Sequence, residues 1–283
     1  MTTTRPVIAA QPSVPTTEGA GVRLRRVFGR VDPRLDPFLL LDDFRSDDPD
    51  DYIAGFPWHP HRGMETISYL LHGALAHGDS LGNKGDLGPG DAQWMTAGSG
   101  IIHEEMPRQT EGLLHGFQLW ANLPAVHKMM APRYQDVPAA EIPTADLDGG
   151  GTARVICGQI GGARGPVRDI VTDPTYLDLS LPAGARLRHH VPSTHNVFAY
   201  IFEGEARFGP DAGQPVAAGN LVILGEGEHV RVQAEDQAAR LLLVAGRPLG
   251  EPVAWGGPIV MNTELELQQA FAAYQDGTFL DRP

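Results

Sequence analysis

The chain has 283 residues, of which 42% are hydrophobic and 20% charged, and its formal net charge is −13. This acidic balance argues against direct binding to nucleic acid or anionic lipid, which requires clustered lysine and arginine. No apolar run approaches the roughly 20 residues of a membrane-spanning helix, and the single cysteine excludes an internal disulfide. We expect a cytoplasmic protein without membrane association, built as two domains or as one large β domain.

The N-terminal quarter of the chain predicts short strands. Residues 1–20 are rich in Thr and Pro, and we expect a mobile tail there, with structure beginning near Val22. Residues 22–28 alternate apolar and basic side chains, which predicts a strand with one solvent-exposed face. The apolar run within residues 36–44 lies between turn residues and predicts a buried strand.

Two pairs of potential metal ligands follow, His59 with His61 and His103 with Glu105. In each pair the residues are two apart, so on a strand their side chains point to the same face. The sequence between the pairs alternates short apolar runs with Gly, Asp and Pro, which is typical of strands joined by turns. Convergence of the pairs inside a small barrel would place three imidazoles and one carboxylate together, which predicts a metal site.

The identity of the carboxylate ligand is ambiguous. Glu65 lies four residues after His61 in the same alternation phase, and Glu105 pairs with His103 as His61 pairs with His59. We favour Glu105, while Glu104 has the wrong parity. Glu65 would then orient a ligating histidine or form a salt bridge within the barrel.

Other aromatic and polar residues of the first half have less specific patterns. Residues 114–123 alternate as a strand, with Gln118 and Trp120 on one face and His115 on the other. We expect His115 to be a hydrogen-bonded core residue and the strand-end histidines to be solvated loop residues: His72 and His77. The tryptophans fit either a flat aromatic pocket or core packing: Trp58, Trp94 and Trp120.

The second half repeats the layout of the first in altered form. Residues 124–132 predict a helical turn, and residues 133–151 show no period, which is typical of a crossover between domains. Beyond it, His190 takes the place of His59 but Pro192 takes that of His61, and Glu228 and His229 are adjacent and so point to opposite faces. We expect a metal-binding domain over residues 1–133 and a domain without metal over residues 134–283. Cys157 lies within an apolar segment of this half and is expected to be a buried, inert thiol.

The end of the chain predicts a helix. Thr263 followed three residues later by Glu266 forms a capping-box pattern. An apolar stripe at helical spacing follows and is expected to dock on a barrel wall: Leu267, Ala270, Phe271 and Tyr274.

These residues resemble the pirin family of two-domain cupins over nearly the whole chain. The motifs that carry the resemblance are Asp36-Pro37-Phe38-Leu39-Leu40, His59-Pro60-His61-Arg62-Gly63, Gln93-Trp94-Met95-Thr96-Ala97-Gly98, Glu105-Met106-Pro107 and Gly257-Pro258-Ile259-Val260-Met261-Asn262-Thr263. The resemblance implies an all-β bicupin fold, with two antiparallel, jelly-roll-like β-barrel domains and a short C-terminal helix. It also implies one iron held by His59, His61, His103 and Glu105 in the N-terminal barrel.

The resemblance implies a quercetin 2,3-dioxygenase-type activity on a flavonol-like substrate with O2. As a hypothesis of our own, Glu105 would accept the substrate proton, because a carboxylate ligand can leave the metal. Three imidazoles and a carboxylate suit Fe, Mn, Co, Ni, Cu or Zn, and they leave two octahedral positions open. We place Fe(II) first, because an oxygenase needs open positions. The alternative is a non-catalytic, redox-responsive regulator, since pirins also bind protein partners such as transcription factors and metabolic enzymes.

Overall fold

The computed structural model describes residues 3–210 and 213–281. Contacts between residues divide the chain into two compact units. Unit 1 comprises Met1–Val14, Asp32–Pro37 and Ala140–Pro248, and unit 2 comprises Pro15–Val31, Phe38–Ala139 and Leu249–Pro283. This division differs from the boundary that we predicted at residue 133. The difference arises because the chain crosses between the units several times: Met1–Val14 and Asp32–Pro37 belong to unit 1, and Leu249–Pro283 belongs to unit 2.

The regular elements in the described residues are mostly β-strands. In chain order the strands are β1 Val7–Pro12, β2 Val14–Glu18, β3 Val22–Gly29, β4 Phe38–Ser46, β5 Phe56–His61, β6 Met64–His72, β7 Leu75–Asp79, β8 Lys84–Leu87, β9 Ala92–Thr96, β10 Ile101–Pro107, β11 Leu114–Asn122, β12 Arg133–Val137, β13 Thr144–Asp146, β14 Thr152–Cys157, β15 Gln159–Ile160, β16 Ala163–Arg164, β17 Thr175–Leu181, β18 Arg186–His190, β19 Asn196–Phe208, β20 Val216–Ala217, β21 Asn220–Leu224, β22 His229–Gln233, β23 Ala239–Gly246, β24 Ala254–Gly256 and β25 Ile259–Met261. The helical elements are three short 3-10 helices, Pro49–Asp51, Ala125–His127 and Ala139–Glu141, and the α-helix α1, Glu264–Gln275. The predicted all-β bicupin class with a short C-terminal helix is confirmed.

Unit 1 is built on a sheet in the order β1-β21-β19-β23-β17-β14-β13, to which β18, β20 and β22 are attached by further antiparallel pairing. One cluster of buried apolar side chains from neighbouring strands of this unit includes Leu177, Val197 and Leu241. Cys157 is buried, as predicted.

Unit 2 contains a seven-stranded sheet, in the order β12-β9-β6-β11-β4-β3-β2, and a four-stranded sheet, in the order β5-β10-β7-β8. One apolar cluster joins them, with Leu70 and Leu114 from the larger sheet and Leu75 and Leu87 from the smaller. Burial of this cluster packs the two sheets against each other, since apolar area removed from water stabilises the fold. Among the described residues, no helix is long and apolar enough to cross a membrane.

Two predictions about irregular segments were wrong. The expected N-terminal tail forms β1 and β2, and β1 pairs with β21, while Met1 and Thr2 lie outside the described residues. The expected crossover contains β12, which pairs with β9 from Arg133↔Thr96 to Val137↔Ala92. In both cases a partner strand that is distant in sequence satisfies the backbone hydrogen bonds of a segment with a weak pattern of its own.

The C-terminal helix begins as predicted. The Thr263 side chain accepts a hydrogen bond from the Glu266 backbone, and the Glu266 side chain accepts one from the Thr263 backbone. The predicted stripe is only half correct, because Leu267 and Ala270 are buried whereas Phe271 and Tyr274 remain exposed. The 3-10 helix at Ala125–His127 confirms the predicted helical turn.

A buried lysine links three parts of unit 2. Lys128 is 2% exposed, and its ammonium donates to the Asn122 side chain at 2.6 Å and to the carbonyls of Gly63 and Val260 at 2.8 and 3.0 Å. Burial lowers the pKa of Lys128 to about 8, so the group is still protonated at neutral pH. Its three N–H donors then match three acceptors, which offsets the desolvation of the charge.

Replacement of Lys128 by Met should lower the free energy of unfolding by about 2–4 kcal/mol, because it leaves buried acceptors without donors. Urea unfolding followed by circular dichroism measures this loss. Lys84→Met is the matched control, since Lys84 is the only other lysine and its side chain is exposed. Equal stability of the two variants would contradict a structural role for the Lys128 ammonium.

Candidate metal centre

Strand pairing brings three of the four predicted ligands together. On the antiparallel pair β5 and β10, His59 lies directly opposite His103, and His61 follows two residues along β5 on the same face. The ring centroids of these histidines are 4.4 to 5.1 Å apart. Among the described residues, they form a group whose potential ligand atoms all lie within 4.8 Å of one another.

Two backbone carbonyls set the tautomers of the β5 histidines. His59 Nδ1 lies 2.8 Å from the Pro57 carbonyl, and His61 Nδ1 lies 3.0 Å from the Pro258 carbonyl. A carbonyl only accepts hydrogen bonds, so both Nδ1 atoms carry a proton, and in the neutral rings both Nε2 atoms present lone pairs. These Nε2 atoms are 3.1 Å apart. Two lone pairs that face each other repel unless a cation lies against both.

The surroundings of His103 also fit a metal ligand. The ring is 1% exposed, and neither ring nitrogen has a hydrogen-bond partner within the described structure. Burial is also the main cause that lowers the pKa values of His61 and His103 well below the usual range. Neutral, buried and incompletely bonded imidazoles are suitable ligands for a divalent transition metal.

The turn after His61 is fixed by the C-terminal segment. Arg62 donates to the Ser99 carbonyl at 2.7 Å and to the Phe279 carbonyl at 2.6 Å, and its guanidinium lies 4.1 Å from the centroid of the Phe279 ring. Gly63 has a φ of +76°, and a Cβ there would lie 2.0 Å from the Val260 carbonyl oxygen. Only glycine fits this turn, which therefore sets where His61 is held.

Glu105, the fourth predicted ligand, is buried but lies outside the three-histidine group. Its Oε1 accepts a hydrogen bond from Ser68 at 2.8 Å, and its Oε2 accepts one from Gln118 at 2.7 Å. Trp120 Nε1 donates to Gln118 Oε1 at 3.1 Å, which fixes the amide so that Nε2 faces Glu105. Ser68 and Gln118 therefore each donate to one oxygen of Glu105 and hold its side chain in place.

Glu105 contacts a polar row that crosses six neighbouring strands of the larger sheet. Consecutive members lie opposite each other in register, and the row consists of Arg26, Asp42, Gln118, Ser68, Gln93 and Asp136. Gln93 Nε2 contacts both Asp136 at 2.8 Å and His77 Nε2 at 2.9 Å. His77 in turn lies opposite Glu105 on the smaller sheet. The polar row therefore contacts β10, the strand that carries His103, directly through Glu105 and indirectly through His77.

A cavity of about 630 Å³ opens onto the histidines. Its walls are largely apolar and aromatic, with Trp120 and Trp255 packed at a centroid distance of 6.0 Å. Trp120 also contacts His61 edge to face, with the ring centroids 5.2 Å apart. Gln118 and the Arg26–Asp42 pair provide polar groups, and the full lining is Glu18, Gly19, Ala20, Arg26, Gly29, Leu40, Asp42, Phe56, Pro57, His59, His61, Gln118, Trp120, Trp255, Gly257 and Pro258.

The other residues that the sequence singled out differ in burial and in contacts. Glu65 is buried and accepts a hydrogen bond from Thr96 at 2.6 Å, and it is not part of the three-histidine group. His115 is a core residue beside Asp43, as predicted. His72 is exposed as predicted, but His77 is buried, which corrects its assignment to a loop. Of the tryptophans, Trp94 is buried, Trp58 is 50% exposed and Trp120 lines the cavity.

Sequence reasoning missed several residues that position the site. Gln118 and Ser68 could have been found from alternation, because each shares a strand face with other polar or cavity-lining residues. Pro258 and Phe279 act through contacts about 200 residues distant in sequence, and no local pattern predicts such contacts.

Comparisons with known proteins agree with this geometry. The family model described as Pirin matches residues 21–121, and the model described as Pirin C-terminal cupin domain matches residues 176–280. A pirin-like protein of Caulobacter vibrioides is 47% identical over 277 residues, which cover 97% of this chain and 99% of that protein. Pirin of Homo sapiens is 44% identical over 265 residues, which cover 92% of this chain and 89% of that protein.

A solved structure gives the same result for the fold. Quercetin 2,3-dioxygenase from Acinetobacter baumannii superposes with a TM-score of 0.90 at 32% sequence identity, covering 98% of this chain and 99% of that one.

The site should bind one divalent transition metal ion per chain. His103→Ala should lower the affinity by about 100-fold or more, because it removes a buried ligand. Metal analysis after dialysis and metal-induced thermal shifts provide the measurements.

His72→Ala is the control, since His72 is exposed at the end of β6 and its loss should leave the stoichiometry unchanged. Metal content that persists in the His103 variant would refute the three-histidine site.

Proposed function

The chain belongs to the pirin family of two-domain cupins, and from this premise we propose that it is a dioxygenase that opens a flavonol-like ring with O2 at a mononuclear iron site. The observation that carries the proposal is the cavity of about 630 Å³ that reaches His59 and His61. Its volume and aromatic walls suit a flat ligand of drug-like size. A regulator that senses only the charge of the metal needs no such cavity.

We infer that His59, His61, His103 and Glu105 form the ligand set, with Fe(II) the first choice and Mn, Co, Ni, Cu or Zn as alternatives. Glu105 lies two residues after His103 on β10, and among smaller effects its carboxylate raises the pKa of His61 against the dominant effect of burial. The domain formed by unit 1 is expected to bind no metal, and this expectation stays a prediction.

The reaction balances without an added reductant. Both atoms of O2 enter the products, two ring carbon–carbon bonds break, and one carbon leaves as carbon monoxide. The bound iron would act as a Lewis acid that lowers the pKa of the flavonol 3-hydroxyl and activates the bound reactants.

The side chains of the cavity would prepare the substrate for this chemistry. Trp120 and Trp255 would bind the flat ring system and exclude water from it. Glu105 would accept the 3-hydroxyl proton on a carboxylate oxygen, as a general base. Gln118 and Ser68 would hold Glu105 in the orientation needed for the transfer.

Anaerobic reconstitution with Fe(II), followed by quercetin and O2, should give loss of flavonol absorbance and release of carbon monoxide. Glu105→Gln should lower turnover about 100-fold or more, because an amide cannot accept the proton. The substitution preserves side-chain volume, and Ser68 can accept a hydrogen bond from the new amide. His72→Ala serves again as the matched control.

Retention of both metal content and turnover in the Glu105 variant would remove Glu105 from the mechanism. Tightly held iron without turnover on any flavonol would instead favour the redox-responsive regulator, and a search for protein partners in both iron oxidation states would follow.

A further inference from the structure

The cavity contains a second polar group besides the histidines. Arg26 Nε and Nη2 donate to the two carboxylate oxygens of Asp42 at 2.9 and 2.8 Å, and Arg26 Nη1 lies 2.8 Å from Glu18. Asp42 is 6% exposed, yet it lines the cavity. In a bidentate pair of this kind, the two parallel hydrogen bonds fix the orientation of the guanidinium and the carboxylate, and both groups are charged.

The pair retains hydrogen-bonding capacity. Its contacts with Asp42 and Glu18 use three of the five N–H groups of Arg26. Each Asp42 oxygen accepts one of these bonds and has a further lone pair. Burial is the main cause that raises the pKa of Asp42 to about 6, while the contacts with Arg26 act in the opposite direction. A buried carboxylate with spare acceptor capacity is costly unless a donor reaches it.

The position of this pair relative to the histidines follows from strand register. Asp42 lies opposite Gln118 on the neighbouring strand, about 5 Å away at the usual strand spacing, and Gln118 contacts Glu105. Trp120 lies two residues further along β11, opposite Leu40, and contacts His61. The cavity is therefore lined by the Arg26–Asp42 pair as well as by His59 and His61, with Trp120 and Trp255 in an apolar wall beside them.

We propose that the Arg26–Asp42 pair selects substrates by binding a hydroxyl group remote from the metal, so that the preferred class is a planar aromatic with hydroxyl groups at both ends. This inference rests on the proposed function, because it assigns the orientation of the substrate in the same cavity. A phenolic O–H donates to Asp42, and a neighbouring hydroxyl oxygen accepts from Arg26. A catechol ring satisfies both partners at once, as neither a bare phenyl ring nor an alkyl group can.

The test compares the binding of two ligands to the wild type and to two variants. Quercetin carries hydroxyl groups on all its rings, whereas 3-hydroxyflavone retains only the one expected to face the metal. Binding is followed anaerobically by quenching of tryptophan fluorescence, because Trp120 and Trp255 line the cavity. The same measurements are made on Asp42→Asn and on Asp43→Asn. Asp43 is the neighbouring buried carboxylate, and it points to the opposite face of β4, where it contacts His115.

In the wild type, quercetin should bind about 10- to 100-fold more tightly than 3-hydroxyflavone, the range expected when a site built for hydroxyl groups meets a ligand without them. Asp42→Asn should reduce this ratio to about threefold or less by weakening quercetin alone. Asp43→Asn should leave the ratio at its wild-type value. Thermal unfolding of each variant confirms that the comparison is made on folded protein.

Equal binding of the two ligands by the wild type would overturn the inference, and so would an equal loss for both ligands in the Asp42 variant. These results differ from failure of the proposed dioxygenase activity. Discrimination that depends on Asp42 without turnover would keep the selectivity assignment and reject the enzyme. Turnover of both ligands without discrimination would keep the enzyme and reject the selectivity assignment.

Discussion

The hydrogen bond between His61 Nδ1 and the Pro258 carbonyl joins the ligand strand to a segment almost 200 residues further along the chain. It sets the tautomer of His61, and the neighbouring contacts of Arg62 and Lys128 with Phe279 and Val260 hold the adjoining turn in place. The three-histidine group depends on these contacts, because they fix the backbone position and the ring orientation of His61. The C-terminal segment is thus part of the candidate metal centre although it contributes no residue to the three-histidine group.

A polar row through the interior of a β domain is costly, since each buried polar group needs a partner. Here the cost is offset by reciprocal bonding, with Trp120, Gln118, Ser68 and Glu105 linked in one network. Such networks restrict side-chain rotation, and here they hold the Glu105 carboxylate in one orientation. At one end of the row, Arg26 and Asp42 face the cavity, and at the other, Gln93 binds His77 behind the ligand strand.

The sequence was sufficient to predict the β class and the capped C-terminal helix, because both follow from local patterns. Spacing also placed His59 and His61 on one face of a strand, whereas the approach of His103 was expected only on the assumption of a small barrel. It was insufficient wherever the decisive partner is distant in the chain. Strands β1 and β12 have weak patterns and form through pairing with β21 and β9, and His77 looks like a loop residue until β7 is paired with β10. Phe271 and Tyr274 fit a helical stripe, yet of its four residues only Leu267 and Ala270 are buried. The place of Glu105 in the ligand set rests on parity and family resemblance, and its observed contacts are with Ser68 and Gln118.

The arrangement of unit 2 also has a consequence for biosynthesis. The strands that carry the three histidines leave the ribosome well before Pro258, Val260 and Phe279, whose carbonyls contact His61, Lys128 and Arg62. A nascent chain that ends before these residues lacks the contacts that orient His61 and Arg62. The geometry of the three-histidine group therefore depends on residues made about 200 positions after the histidines of β5.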